Sequence, residues 1–287
     1  MLIREALAQG SADLKYAGIK TPSLDAGLLL AYILKTDRTK LIARGTDRIS
    51  DKDSKSFCEL LEKRAGGECT AYIIGKKEFM GLEFDANPSV LVPRPETETL
   101  VETAIDIIKN KLQDNSADIL DLCTGSGAVA VSLKKEIPSC KITAADISPN
   151  ALDTAKHNAE KLLGGNHIDF FQGDLFSALP SPLPAPFSLI VSNPPYISSD
   201  EIQTLSIEVQ NEPRLALDGG ASGLEIITRI IEKTGDYLKQ NGYLLLEADP
   251  RQMEQINILL AKNKFTDIQL YKDLSGTDRV IGGKIEK

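Results

Sequence analysis

The stretch "DILDLCTGSGAVAVSLKKE" (118–136) decides how this chain is read. Its opening carries Ile119, Leu120 and Leu122, an apolar run of strand length. The run stops at Cys123-Thr124-Gly125-Ser126-Gly127, and a segment rich in alanine, valine and leucine follows, as a helix requires. Glycines at a strand-to-helix turn let a ligand approach the backbone closely. The turn has no Gly-Lys-Ser/Thr ending, which argues against a phosphate-cradling loop. It also lacks the full Gly-x-Gly-x-x-Gly of a dinucleotide site.

Outward from that turn, strands and helices alternate. "KITAA" (141–145), "IDFFQ" (168–172), "FSLIV" (187–191) and "YLLLE" (243–247) read as strands. Helical patterns lie around 127–136, 149–164, 222–240 and 251–263. Such alternation predicts right-handed crossovers into a mostly parallel sheet covered on both faces. "FTDIQLYK" (265–272) and "RVIGGKI" (279–285) are separated only by "DLSGTD", too short for a crossover helix, so they should pair antiparallel at the sheet edge. Upstream, 97–112 is helical, and "KEFMGLEFDAN" (77–87) alternates about Gly81 like a hairpin joining two domains. Residues 1–70 are helical throughout. The expected organisation is a helical bundle over 1–71, a hairpin linker over 72–92 and an α/β domain over 93–287.

The bulk numbers are those of a soluble globular protein: of 287 residues, 42% are hydrophobic and 26% charged. No apolar run is long enough to span a bilayer, and "MLIREALAQG" is not a secretory leader, so the expected location is cytoplasmic. Cys58, Cys69, Cys123 and Cys140 form no Cys-x-x-Cys pair, and His157 and His167 are the only histidines, so no metal site is expected. A net charge of −8 weighs against a nucleic-acid partner.

Two further strand ends hold candidate ligand groups. Asp146 stands nineteen residues after Gly127, where a carboxylate can accept both hydroxyls of a ribose. Alone it reads equally as a helix-start acid; beside the glycine turn, ribose binding is the better reading. Ser148 and Pro149 cap the helix that follows. In "QGDLFSAL", Asp174 suits an adenine amino group and Leu175 or Phe176 its face, with a plain loop turn as the competing reading. Adenosine without a phosphate demand fits S-adenosylmethionine better than a nicotinamide or ATP.

The strand 187–191 ends in Ser192-Asn193-Pro194-Pro195-Tyr196. Two prolines cannot extend a sheet, and the bland reading is a strand terminator. The chemical reading is stronger. Methyl transfer from a sulfonium is an in-line displacement, and a planar NH2 group is a poor nucleophile because its lone pair is delocalised. Asn193 Oδ1 and the Pro194 carbonyl can accept its two N–H bonds and orient it. Tyr196 can stack on the planar acceptor. In a doubly wound order this loop and the glycine turn open into one crevice.

The chain resembles the protein-(glutamine-N5) methyltransferases of peptide chain release factors, the HemK or PrmC family. The likeness runs through "YIIGKKEFMGLEF" (72–84), "VLVPRPETETLVE" (90–102), "DLCTGSGAVAVSL" (121–133), "AADIS" (144–148), "GDLFSAL" (173–179) and "VSNPPYI" (191–197). "EPRLALDGG" (212–220), "GYLLLE" (242–247) and "DLSGTDRV" (273–280) follow in order. The resemblance implies a Rossmann-like α/β S-adenosylmethionine-dependent methyltransferase domain with a seven-stranded sheet, and a small N-terminal helical domain that helps dock the substrate. It implies methylation of the glutamine in the Gly-Gly-Gln motif of class I release factors, with S-adenosylhomocysteine as product.

By position, the cofactor would lie along Asp121, Cys123, Thr124, Gly125, Ser126 and Gly127, with Asp146 and Ile147 at the ribose, and Asp174 and Leu175 at the adenine. Asn193, Pro194, Pro195 and Tyr196 would hold the glutamine, and Arg94, Glu96 and Glu98 of "PRPETE" would line the same cleft. Two departures stand out. Cys123 takes the place of a usual glycine, from which an ordinary φ is expected there. Leu175 replaces an aromatic residue of some members, for which Phe176 could compensate. A monomer is expected, with no membrane partner. The alternative is an amino-methyltransferase acting on adenine or guanine in a nucleic acid, which uses the same loop; net acidity and "PRPETE" count against it.

Overall fold

The computed structural model describes residues 1–165, 167–182 and 185–286. The chain divides into two compact units, Met1–Lys76 with Ser206–Asn211, and Lys77–Leu205 with Glu212–Lys287.

The first unit is helical: α1 (Ile3–Tyr16), α2 (Pro22–Ile33), α3 (Arg38–Ala43), α4 (Asp51–Ala65) and α5 (Thr70–Ile74). Leu14, Leu29, Leu30 and Phe57 from α1, α2 and α4 form its buried centre. Gly10 lets α1 approach α4, since a Cβ there would lie 2.9 Å from the Phe57 ring. Ser50 caps α4 by accepting from the Asp53 amide at 3.0 Å. A buried ion pair lies within it: Arg64 Nε donates to Asp25 Oδ2 at 2.9 Å, and the same guanidinium meets Glu208 of the Ser206–Asn211 segment. Asn211 ties that segment down by donating to the Gly67 carbonyl at 3.0 Å.

The second unit opens with the hairpin β1 (Lys76–Phe79) and β2 (Leu82–Asp85). Met80 and Gly81 both have positive φ, 50° and 68°, as a tight two-residue hairpin turn requires. This hairpin is part of the second unit rather than a free linker, because Phe79 and Phe84 are buried in that unit's core. There follow α6 (Glu98–Asp106), continued by a π-helical stretch to Leu112, then β3 (Asp118–Leu122), α7 (Ala128–Glu136), β4 (Lys141–Asp146), α8 (Pro149–Leu163), β5 (Ile168–Gln172) and β6 (Phe187–Ser192). Ile207–Gln210 is the short helix α9 in the first unit. The second unit resumes with α10 (Glu225–Tyr237), β7 (Leu238–Glu247), α11 (Met253–Lys262), β8 (Phe265–Lys272) and β9 (Asp278–Ile285).

The seven-stranded sheet has the order β5-β4-β3-β6-β7-β9-β8. The first five are parallel; β9 runs antiparallel to both β7 and β8. The expected antiparallel pair is present, and its second strand sits inside the edge. Side chains alternate between two cores, as the pleat dictates. Ile119, Leu189, Val191 and Leu245 pack with α6 and α7, whereas Leu120, Leu122, Ile190, Leu244 and Leu246 pack with α10 and α11. The switch point falls between β3 and β6, whose registers pair Leu122 with Ser192.

Candidate active site

A cleft opens at the carboxyl ends of β3, β4 and β6. Cys123, Thr124, Gly125, Ser126, Asp146, Ile147, Asp174, Leu175, Asn193, Pro195 and Arg94 all line it, together with Asp121 and Thr97. Residues from four separate strand ends and from the turn before α6 are thus brought to one wall.

The turn after β3 is a backbone site. Gly125 has φ 55°, and a Cβ added there would meet nothing within 4 Å. Gly127, at φ 79°, answers a packing need, because its Cβ would lie 3.1 Å from Ala155 of α8. Cys123 corrects the expectation of an ordinary φ: it stands at 60°, in the left-handed region. The turn geometry at that step demands it, and cysteine bears a strain that glycine would not. Burial pushes its thiol pKa up, which disfavours the nucleophilic thiolate, while the side chain stays partly exposed on the cleft wall. Leu175 is likewise left-handed, at 50°.

Two carboxylates frame this turn. Asp146 Oδ2 accepts from the Gly125 amide at 2.8 Å and Oδ1 from the Ser148 amide at 2.9 Å. Both oxygens keep a lone pair for a ligand hydroxyl. Burial raises its pKa, opposed by those amide bonds. Asp121, enclosed at the end of β3, accepts from the Thr124 hydroxyl at 2.6 Å, and burial pushes it up to about 7. Asp174 is already engaged, taking Arg229 at 2.6 Å while both remain half-exposed. Phe176 does not compensate for Leu175: its ring stacks on Tyr237, centroids 4.3 Å apart, in the core.

The loop after β6 is held from behind. Asn193 Nδ2 donates to Thr97 Oγ1 at 3.1 Å. Tyr196 packs its ring into the α10 side of the core and donates its hydroxyl to Glu247 Oε1 at 3.4 Å, so it supports the loop instead of facing the cleft. The 217–223 segment grips the same loop: the Ile197 amide donates to the Leu217 carbonyl at 3.0 Å and the Gly219 amide to the Ile197 carbonyl at 2.8 Å. Gln252 Nε2 donates to the Tyr196 carbonyl at 3.0 Å.

The "PRPETE" residues separate. Arg94 lines the cleft and pairs with Glu212, which also accepts from the Val92 amide at 3.0 Å. Glu96 is exposed, and Glu98 Oε1 accepts from the Met80 amide at 2.7 Å, holding the hairpin turn. Three residues escaped the sequence reading: Thr97, Glu247 and Asn158. Fully buried on α8, Asn158 bonds both backbone groups of Asp85 and donates to the Ser126 carbonyl at 3.0 Å, tying the hairpin to the glycine turn. Its sequence signal is a polar residue, one turn after Thr154, on a helix face otherwise made of alanine and leucine.

Residues 5–75 match the family model for the PrmC N-terminal domain, and residues 98–211 that for the methyltransferase small domain. The release factor glutamine methyltransferase of Neisseria gonorrhoeae is 38% identical over 268 residues, covering 93% of this chain and 95% of that protein. That of Geobacter sulfurreducens is 35% identical over 284 residues, covering 99% and 96%. The N-terminal domain of human METTL16 in complex with SAH, a solved structure, aligns with a TM-score of 0.55 at 15% identity, over 96% of this chain and 95% of that one, a likeness of fold. Identity above one third along nearly the whole of both relatives spans the glycine turn and the Asn193 loop alike, and this chain belongs to the release factor glutamine methyltransferase family.

Proposed function

We propose that this chain methylates the side-chain amide nitrogen of the glutamine in the Gly-Gly-Gln motif of class I peptide chain release factors, using S-adenosylmethionine. The observation that supports the reading most is Asn193, held at the end of β6 beside the β3 turn, in a cleft that Asp146 also lines.

The residues present suit that cofactor. Asp146 offers two carboxylate oxygens, each with a free lone pair, to the paired hydroxyls of a ribose. Asp121 offers a buried acceptor for a cationic amino group. Leu175 and Ile226 offer apolar surface to a base. S-adenosylmethionine, when bound, supplies an electrophilic methyl group. Asn193 Oδ1 and the Pro194 carbonyl accept the two N–H bonds of the glutamine amide, fixing the direction of its nitrogen lone pair. Asparagine is no base; its part is orientation, and the amide proton leaves to water afterwards. The helical unit serves to dock the release factor, and the enzyme acts as a monomer in the cytoplasm.

The test is transfer of labelled methyl from S-adenosylmethionine to a purified release factor, to the same factor with its Gly-Gly-Gln glutamine replaced, and to bulk DNA and RNA. Label on the intact factor alone, lost with Asn193→Ala, is the expected result. Label on nucleic acid would mean that the Asn193 loop holds a base.

A further inference from the structure

The chain reaches the cleft wall only after the β1–β2 hairpin, at Ser89, Val90 and Leu91. The hairpin itself is bonded to the supports of both loops of the site. At its tip, the Met80 amide donates to Glu98 Oε1 at 2.7 Å. Glu98 opens α6, and its neighbour Thr97 receives Asn193 Nδ2 at 3.1 Å. At its exit, the Asp85 amide donates to Asn158 Oδ1 at 2.8 Å, and the Asp85 carbonyl accepts from Asn158 Nδ2 at 3.2 Å. The same Nδ2 donates to the Ser126 carbonyl, 3.0 Å away in the glycine turn. Between tip and exit, Phe79 and Phe84 meet edge to face, ring centroids 6.0 Å apart, buried in the core that α6 shares.

We propose that this hairpin is a brace between the glycine turn and the Asn193 loop, with Asn158 and Glu98 as the positioning residues at its two ends. The proposal rests on the methyl-transfer reading above and extends it to residues outside the cleft.

Asn158 is fully buried, and its amide has one acceptor oxygen and two donor protons for its three bonds. An aspartate there would lose both donors, and a leucine all three bonds. The Ser126 peptide needs such a hold, because Gly125 and Gly127 on either side, at φ 55° and 79°, give the backbone its widest freedom. Contact between α8 and the turn is already close at Gly127 and Ala155, so a shift in one is passed to the other. One turn before Asn158, Thr154 Oγ1 accepts from Asn87 Nδ2 at 2.9 Å. The chain is therefore held on α8 until it enters the cleft wall at Ser89.

In-line transfer depends on how donor and acceptor are aligned. On the reading above, the β3 turn holds the methyl donor and the β6 loop the acceptor amide. The line of attack is then set by the placement of one loop relative to the other. Strand pairing fixes β3 and β6 as far as Leu122 and Ser192. Beyond that pair, the hairpin joins the two loops from outside the sheet.

The experiment compares Glu98→Ala, Glu98→Gln, Asn158→Ala and the double alanine variant with the wild-type chain, on whichever acceptor the wild type methylates. A substrate other than the release factor would overturn the reading above and leave this comparison intact. Releasing either end undoes a brace, so each single alanine variant is expected to lower kcat about 3–30-fold. The double variant should fall little below the lower single one. Asn158→Ala alone also raises cofactor Kd, because Ser126 belongs to the cofactor turn. Glu98→Gln keeps an acceptor for the Met80 amide and restores most of the lost kcat.

NMR of the free protein needs no turnover. The Gly127 amide resonance should shift in Glu98→Ala and the Asn193 side-chain NH2 in Asn158→Ala, each a change at the far end of the hairpin. Unchanged kcat in either single variant, or losses that multiply in the double, would overturn the brace. So would a Glu98→Ala variant that melts earlier yet leaves the Gly127 resonance in place. Should Asn158→Ala not fold, Glu98→Ala decides alone, by that resonance and by rescue of kcat in Glu98→Gln.

Discussion

The β3 and β6 ends are hydrogen-bonded neighbours, yet they are built on opposite principles. The β3 turn works through backbone. Cys123, Gly125 and Gly127 are left-handed, and its fixing partners, Asp146 and Asn158, bond main-chain groups. On the proposed reading the β6 loop works through a side chain, Asn193, and the loop is held by residues far away in sequence: Thr97, the 217–223 segment, Glu247 and Gln252. A site that must hold a cofactor can be made from peptide amides that any short turn carries. A site that must orient a weak nucleophile needs acceptors aimed in fixed directions, and more of the fold must be committed to aiming them.

If the two loops divide the work in this way, substitutions should separate binding from turnover. The largest effect belongs to Asn193→Ala, expected to lower kcat about 100–1000-fold while cofactor Kd, measured by calorimetry, stays near the wild-type value. Asp146→Ala should do the reverse, weakening cofactor binding about 10–100-fold, since hydrogen bonds to a charged group and the Gly125 amide's partner are lost together. Equal effects of both on both quantities would break the comparison.

Smaller changes sharpen it. Gly223 has φ 79°, and a Cβ there would lie 2.4 Å from the Tyr196 carbonyl oxygen. Gly223→Ala should therefore cost about 1–3 kcal/mol of stability and reduce turnover more than cofactor affinity, as melting curves and kinetics would show. A pH series on the free protein tests the buried acid behind the β6 loop. Because Glu247 is raised from 4.5 to about 7 in the folded chain, the native state binds the extra proton. Its contribution is intact below the unfolded pKa and is lost as pH rises toward about 7. Glu247→Gln should flatten that decline in melting temperature. Least of all, Cys123→Gly should stabilise the chain by about 0.5–1 kcal/mol through relief of its left-handed φ.

The same contrast explains what could be read in advance. The parallel strands, the switch point and the β3 turn were legible because period-two apolar runs, glycines and a strand-end aspartate are local signals. The hairpin was legible from Gly81, but its membership of the second unit was not, since that depends on where Phe79 and Phe84 find their core. The helix expected over 222–240 gives way after Tyr237 because β7 begins there, extending below its apolar stretch to pair Leu238 with Phe187. Ser206–Asn211 joins the helical unit through Glu208 and Asn211, a discontinuity that no contiguous window of sequence announces. Thr97 lay hidden inside an acidic motif and Glu247 at the end of an apolar strand. Each gains its meaning only from the partner that folding brings to it.

The most direct test of the account is to incubate the protein with S-adenosylmethionine and a purified class I release factor, then fragment the Gly-Gly-Gln peptide by mass spectrometry. One added methyl group on the glutamine side chain, absent with Asn193→Ala, is the predicted result. A methyl group on any other residue, or an unmodified glutamine beside an active enzyme, would contradict it.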